Sequence, residues 1–287
     1  MGGLGNQLFQ IFATISFALD RNQRFLFLNS QLIGEGTTKS RKTYWNTFLK
    51  PLFIFLKNNI NIYCSVKEAG FTYAPIKRLN YDADKVCMIY GYFQSYKYFD
   101  IFFPQICKLI RLEKQKEEVM LSVAPYFNEP IENYISMHFR IGDYKNLQDQ
   151  YRILEYSYYK EALDCILGNE MKEEKGFEAK PNSVTQGILY FCEEHDLEEV
   201  SSIICKLKED VKFTHYKFIR ADPRIDDWQQ MLMMSCCRHN IIENSTFSWW
   251  GAYFNSNPDK IVCSPEKWFS KEDLVTDDLL PESWIKL

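Results

Sequence analysis

From residue 134 onward, short apolar runs rich in β-branched and aromatic residues alternate with longer runs of helical periodicity. The pattern predicts strands at 134–140, 187–193, 216–220, 240–243 and 260–264, and helices at 156–167, 196–208, 226–237 and 247–255. Such alternation constrains the fold strongly. Parallel neighbours need a crossover long enough to carry a helix, so the strands form a parallel sheet covered on both faces. Ligands of such sheets bind beyond the carboxyl ends of the strands. The residues just after each predicted strand are therefore where chemistry is expected.

Two of these strand ends carry suitable groups. In Asn240-Ile-Ile-Glu-Asn-Ser-Thr-Phe-Ser-Trp-Trp-Gly-Ala252 a strand runs into a polar elbow and then a helix. Asn244, Ser245 and Thr246 are N-cap residues, and a helical run starts at Phe247. Free N–H groups and the positive end of the helix dipole would point into the ligand crevice, which suits an anion. Ser248 adds a hydroxyl. The same pattern also describes a capped helix without a ligand, with Trp249 and Trp250 in the core. The second strand end is Tyr134-Ile-Ser-Met-His-Phe-Arg-Ile-Gly-Asp-Tyr144. Arg140 can grip a diphosphate with two oxygens at once. Asp143 can cap the turn at Gly142, act as a base, or simply pair with Arg140. Together the two features suit the leaving group of a nucleoside diphosphate sugar without a metal ion, because the departing diphosphate gains charge as the bond breaks.

The first half is less regular. Gly2-Gly-Leu-Gly-Asn-Gln7 reads as a glycine-rich turn, followed by a helix with Leu8, Phe12, Ile15 and Leu19 on one face and a strand at 24–28. This is most of a βαβ unit, with the strand before the turn absent. A dinucleotide fingerprint fits poorly: the third glycine position is Leu8, and the next strand ends at Leu28-Asn29 without an acid. A further strand is expected at 86–90. The stretch Asp82-Ala-Asp84 precedes it, on the wrong side for holding a metal on a diphosphate, and reads as a solvated turn. Gly91-Tyr-Phe-Gln-Ser-Tyr-Lys-Tyr-Phe99 is a polar-aromatic loop, either a plain surface loop or a wall of an acceptor cleft. The basic aromatic run 37–57 suits core packing or peripheral contact with a membrane surface. Residues 113–133, polar and containing Pro125 and Pro130, read as a hinge between a domain of residues 1–130 and one of 131–287. Gly168–Ser183 reads as an exposed insertion.

Bulk properties exclude several classes. The net charge of −4 provides no basic field for nucleic acid. Nine cysteines, an odd number without C-x-x-C spacing, are expected to be reduced, buried thiols of a cytosolic protein. The four histidines lack ligand spacing for structural zinc. No apolar run is long enough to span a bilayer.

Four segments are together similar to the α-1,2-fucosyltransferases (galactoside 2-α-L-fucosyltransferases) of glycosyltransferase family 11: Met1-Gly-Gly-Leu-Gly-Asn-Gln-Leu-Phe-Gln10, Gly91-Tyr-Phe-Gln-Ser95, His138-Phe-Arg-Ile-Gly-Asp-Tyr144 and Asn244-Ser-Thr-Phe-Ser-Trp-Trp-Gly-Ala252. The resemblance implies an α/β, GT-B-like fold of two Rossmann-like domains with parallel sheets facing a central cleft, the C-terminal domain holding the nucleotide sugar and the N-terminal one the acceptor. It implies a GDP-fucose donor, a galactose-terminated glycan acceptor, metal-independent inverting transfer to the 2-hydroxyl, and no cofactor. By the same resemblance Arg140 holds the diphosphate and His138 orients the nucleotide or the arginine. Asn244, Ser245, Thr246, Phe247 and Ser248 line the phosphates, Asp227 contacts guanine or ribose, and Gly3, Gly5 and Asn6 border the reacting sugar. Ile141 stands where members commonly carry a second arginine, and Phe191-Cys-Glu-Glu-His195 where the strand often ends in two aspartates. Asp143 is the expected general base, by position. The expected setting is surface-glycan synthesis in a bacterial cytoplasm, at the inner face of the membrane if 37–57 makes contact there. The rivals are another GDP-sugar transferase and a catalytically degenerate binder of nucleotide or glycan.

Overall fold

Six short strands, all parallel, lie side by side in the order Ile285–Lys286, Val262–Ser264, His239–Ile241, Tyr134–His138, Gly187–Phe191 and Lys217–Arg220. The structure, a computed structural model, describes residues 2–34, 40–76, 85–174, 185–271, 274 and 276–287, without the side chains of 171–174. The sheet strands are β7 (Tyr134–His138), β8 (Gly187–Phe191), β9 (Lys217–Arg220), β10 (His239–Ile241), β11 (Val262–Ser264) and β12 (Ile285–Lys286). Helices α4 (Tyr156–Glu174), α5 (Leu197–Glu209), α6 (Asp227–Cys236) and α7 (Thr246–Tyr253) connect them. The four strands β7, β8, β10 and β11 are almost wholly buried, as continuous apolar runs in a parallel sheet must be. Their core includes Ile135, Met137, Phe139, Tyr159, Leu163 and Ile188.

The chain divides into two compact units, Met1–Gln115 with Leu274–Pro281, and Lys116–Asp273 with Glu282–Leu287. The second unit holds the parallel sheet. Its sixth strand, β12, comes from the last residues, where no periodic signal exists in two residues of strand. The first unit begins with α1 (Leu4–Asp20). Its strands form three separate pairs among the described residues: β1 (Phe27–Leu28) with β4 (Leu56–Lys57), β2 (Leu32–Ile33) with β3 (Arg41–Lys42), and β5 (Ile62–Lys67) with β6 (Val86–Tyr90). A short helix, α2 (Phe103–Leu109), follows, and the next, α3 (Leu112–Val123), runs across the boundary between the units. Asp278 ties the returning segment into this unit by accepting from the Tyr73 N–H at 2.9 Å and pairing with Lys97.

Several expectations are corrected. The glycine-rich turn is helical from Leu4, because Gly3 serves as N-cap and Gly5 and Asn6 enter the first turn of α1. The strand expected at 24–28 shortens to Phe27–Leu28. The polar stretch 113–133, expected as a hinge, holds the break between the units at Gln115 and Lys116, but it is helical there, as part of α3. Pro125 and Pro130 come after it, where they do not break its hydrogen bonds. The insertion expected from Gly168 starts as helix, since α4 runs on to Glu174. The nine cysteines are free thiols, but only Cys237 and Cys263 are buried; Cys205 is exposed and the rest are half-buried. Asp82 and Asp84 lie outside the described residues, as do 37–39 of the basic aromatic run and 175–183 of the insertion.

Ser245 caps α7: its Oγ accepts from the Phe247 N–H at 3.4 Å. Ser245→Ala is expected to lower the unfolding free energy by about 1 kcal/mol, read as a shifted denaturant midpoint at unchanged slope. A change in slope would mean that more than a cap was lost.

Candidate active site

Strands β7 and β10 are neighbours, with Met137 opposite Ile241, and β8 flanks β7 on the other side, with His138 opposite Phe191. The segments that follow these strands therefore meet at one edge of the sheet. Arg140 leaves β7 there, and its guanidinium is held between two carboxylates. Nη2 reaches the Asp143 Oδ1 at 2.8 Å, and Nη1 pairs with Glu193, which leaves β8. The Arg140–Asp143 pair was one of the readings of the local sequence. Glu193 was visible only as one of two adjacent acids, and the parallel pairing of β7 with β8 makes it a partner. The Arg140 Cζ also sits 5.7 Å from the centre of the Tyr144 ring.

The turn after Arg140 is fixed from below. The buried Asp196 carboxylate accepts from the backbone N–H groups of Ile141, at 3.3 Å, and Gly142, at 2.8 Å. A Cβ at Gly142 would stand 2.6 Å from the His195 Nε2, so a side chain there would displace that imidazole. Ile141 is buried in the core beside Phe139 and Tyr159. An apolar residue satisfies this position, because the side chain faces the hydrophobic cluster.

The elbow after β10 is held by three tyrosine hydroxyls. Tyr158 donates to the carbonyl of Ile242, Tyr159 to the carboxylate of Glu243, and Tyr144 to the carbonyl of Asn244 at 2.9 Å. Asn244 in turn donates through Nδ2 to the carbonyls of Arg152, at 3.0 Å, and Trp268, at 3.1 Å. Its amide nitrogen thus fastens two neighbouring segments, and its buried Oδ1 has no partner. Ser248 Oγ donates back to the Ser245 carbonyl at 3.3 Å. Thr246 and Phe247, half-buried, open α7. Trp249 and Trp250 are fully buried, as the capped-helix reading also expected.

Two buried titratable groups flank the elbow. His138 has its ring centre 5.5 Å from that of Phe247, and its Nδ1 has no partner. Burial, then the nearby Arg140 charge, lowers its pKa to about 3, so it is neutral at physiological pH. Glu243 is fully buried, with Oε2 lacking a hydrogen-bond partner. Burial raises its pKa to about 8, against the lowering effect of the Tyr159 hydroxyl, the Arg140 backbone and the Arg140 charge. A carboxylic acid therefore stays largely protonated within a few residues of the helix N-terminus. Glu243 carried no assigned role in the sequence. The available signal was an acid standing inside an otherwise apolar strand end.

The remaining candidates are positioned by other elements. Asp227 opens α6, and its Oδ1 accepts from the Trp228 N–H at 2.8 Å. That helix follows β9, at the far edge of the sheet from β10. Gly3, Gly5 and Asn6 belong to the first unit. There Asn6 Oδ1 accepts from Gln94 Nε2 at 2.9 Å, joining the start of α1 to the loop after β6. Glu68 shapes that loop by accepting from the N–H groups of Tyr92, at 2.7 Å, and Phe93, at 2.9 Å. A Cβ at Gly91 would stand 2.4 Å from the Glu68 Cβ, so the close approach requires glycine. Gln94 and Glu68 were not singled out in the sequence, since their role depends on β5 pairing with β6. Among the described residues, no group of three or more His, Cys, Asp or Glu side chains is arranged to hold a metal ion.

A family model described as Glycosyl transferase family 11 matches residues 26–287. The chain is 26% identical, over 325 aligned residues covering all of it and 98% of the relative, to an Escherichia coli protein named O-antigen biosynthesis glycosyltransferase WbnK. It is also 26% identical, over 313 residues covering all of it and 96% of the relative, to an Escherichia coli protein named alpha-1,2-colitosyltransferase.

Proposed function

Because the chain belongs to glycosyltransferase family 11, we propose that it transfers L-fucose from GDP-β-L-fucose to the 2-hydroxyl of a terminal galactoside, with inversion and without a metal, in the synthesis of a surface glycan such as an O-antigen. The observation that carries this reading is the Arg140 guanidinium, held by Asp143 and Glu193 at the strand-end edge that also presents the N-terminus of α7. As the bond between the anomeric carbon and the phosphate oxygen breaks, its electron pair goes to the diphosphate. A fixed guanidinium and the positive end of the α7 dipole stabilise that charge without reorganising. The acceptor 2-hydroxyl bonds to the opposite face of the anomeric carbon, and its proton passes to Asp143. Neutral His138 offers its ring to the nucleotide or to Arg140 as a hydrogen-bond partner and adds no charge. In this reading the chain has a GT-B-like arrangement, with residues 1–130 serving the acceptor and 131–287 the donor. Gly3, Gly5 and Asn6 border the reacting sugar, and Asp227 contacts guanine or ribose.

The relative named an alpha-1,2-colitosyltransferase motivates a second donor, nucleotide-activated colitose, on the same site. One assay separates the readings. Purified protein is given each activated sugar in turn, with EDTA, with and without lactose, and product is identified by mass and its linkage by NMR. An α-1,2-fucosyl product supports the first reading, and an α-1,2-colitosyl product alone supports the second. GDP protection against unfolding without release of GDP from GDP-fucose would mark a catalytically degenerate binder. Asp143→Asn is expected to cut turnover by about 10²–10⁴-fold; full turnover in that variant would remove Asp143 from the role of base.

A further inference from the structure

Between residues 24 and 67 the chain carries seven Lys and Arg residues against one acid, Glu35, although its formal charge is −4. The structure combines this basic stretch with exposed apolar side chains. Across β1 and β4, Leu28 pairs in register with Lys57, and across β2 and β3, Leu32 pairs with Lys42. Hydrogen bonds extend each pair by one residue: the Asn29 N–H donates to the Lys57 carbonyl at 2.8 Å, and the Thr43 N–H to the Gln31 carbonyl at 2.9 Å. Immediately before β4, residues Lys50–Phe55 form a 3-10 helix that buries Leu52 and presents Phe53 and Ile54 outward, 54% and 78% exposed. Leu28 and Leu32 are 52% and 56% exposed. The turn is anchored from behind, with Phe55 packed on Phe25 at 4.5 Å and Trp45 on Phe27 at 5.4 Å.

We infer that this face, formed by β1 to β4 and the Lys50–Phe55 turn, docks peripherally on an anionic lipid bilayer, with Phe53 and Ile54 entering the interface and Lys50 and Lys57 facing the headgroups. Exposed Phe and Ile side chains lose contact with water when they enter the headgroup–acyl boundary, and each nearby lysine is attracted by the negative surface potential. The lack of acids matters as much as the cations, since no carboxylate in residues 40–67 is repelled by the lipid phosphates. A second copy of the chain is a poorer occupant, because a two-fold contact through this patch would set the same cations face to face. The inference is independent of the proposed reaction and is tested without donor or acceptor.

The test is co-sedimentation of the full chain with vesicles of phosphatidylglycerol and phosphatidylcholine, against vesicles of phosphatidylcholine alone. Wild type is expected to partition onto the anionic vesicles and to be released by salt. The double variants Phe53→Ser with Ile54→Ser, and Lys50→Glu with Lys57→Glu, are each expected to lower the partition coefficient by about tenfold or more. A control with the same charge change, Lys206→Glu with Lys208→Glu on α5, is expected to bind as wild type does. The altered side chains are exposed, so unchanged melting curves establish that the variants fold. Equal binding of all the variants, or no binding of wild type to anionic vesicles, overturns the proposal. So does a concentration-dependent dimer that the Phe53 and Ile54 changes abolish while vesicle binding is absent.

Discussion

Arg140→Ala is expected to reduce GDP-fucose turnover by about 10²–10³-fold or more, the effect of removing one preorganised group from a developing anion. The loss belongs mainly in kcat, because the charge on the diphosphate grows as the bond breaks. A variant with raised KM and unchanged kcat would show that Arg140 serves ground-state binding only. Arg140→Lys should recover part of the loss, since an ammonium keeps the charge but cannot hold two phosphate oxygens in one plane. The fold should survive. Asp143 and Glu193 are both more exposed than Arg140, and losing exposed ion pairs costs at most about 1 kcal/mol. The variant carries a second signature: without the guanidinium charge, the His138 pKa should rise towards its ordinary value, because Arg140 is one of the causes holding it down.

The second large effect is a dependence of stability on pH with two limbs set by two buried groups. Glu243 has a folded pKa raised to about 8. Its contribution is fully present below the unfolded carboxylate value and is lost as pH rises through about 8. His138 has a folded pKa lowered to about 3. Its contribution is fully present above the ordinary imidazole value and is lost as pH falls towards about 3. The two slopes oppose each other between roughly pH 4.5 and 6.5. From roughly pH 6.5 to 8 the Glu243 limb dominates and should remove about 1–2 kcal/mol of unfolding free energy, opposed near pH 8 by Lys260, whose burial lowers its pKa to about 8. Denaturant melts across that window measure it. Glu243→Gln should flatten the alkaline limb and leave the acid limb in place. An alkaline slope that survives the substitution would assign the effect to another group.

The structure and the sequence agree where the signal is local. The Ser245 cap, the buried Trp249 and Trp250, and the alternation that builds the parallel sheet all follow from neighbouring residues, with boundaries shifted by a few positions. They fail to agree where local polarity had to stand in for tertiary context. The stretch 113–133 holds the break between the units, yet it is polar because α3 exposes one face, and a polar helical face and a linker look alike in composition. Ile141 looked like a lost charge in a basic motif, yet its side chain belongs to the core.

The sequence by itself determined the family, the parallel α/β character of the second half, and the arginine and capped helix that suit a diphosphate. These rest on motifs and periodicities whose partners lie within a few residues. Only the tertiary structure decided that Glu193 joins in holding Arg140, why Gln94 meets Asn6, and why three tyrosines converge on residues 242–244. Each of those contacts joins residues about 50 to 100 positions apart, brought together by strand pairing and by the helices and loops packed on the strands. The protonation of Glu243 belongs to the same class. An acid in a sequence carries an ordinary pKa, and only the packing of α4 and β10 around it removes the water that would keep it ionised.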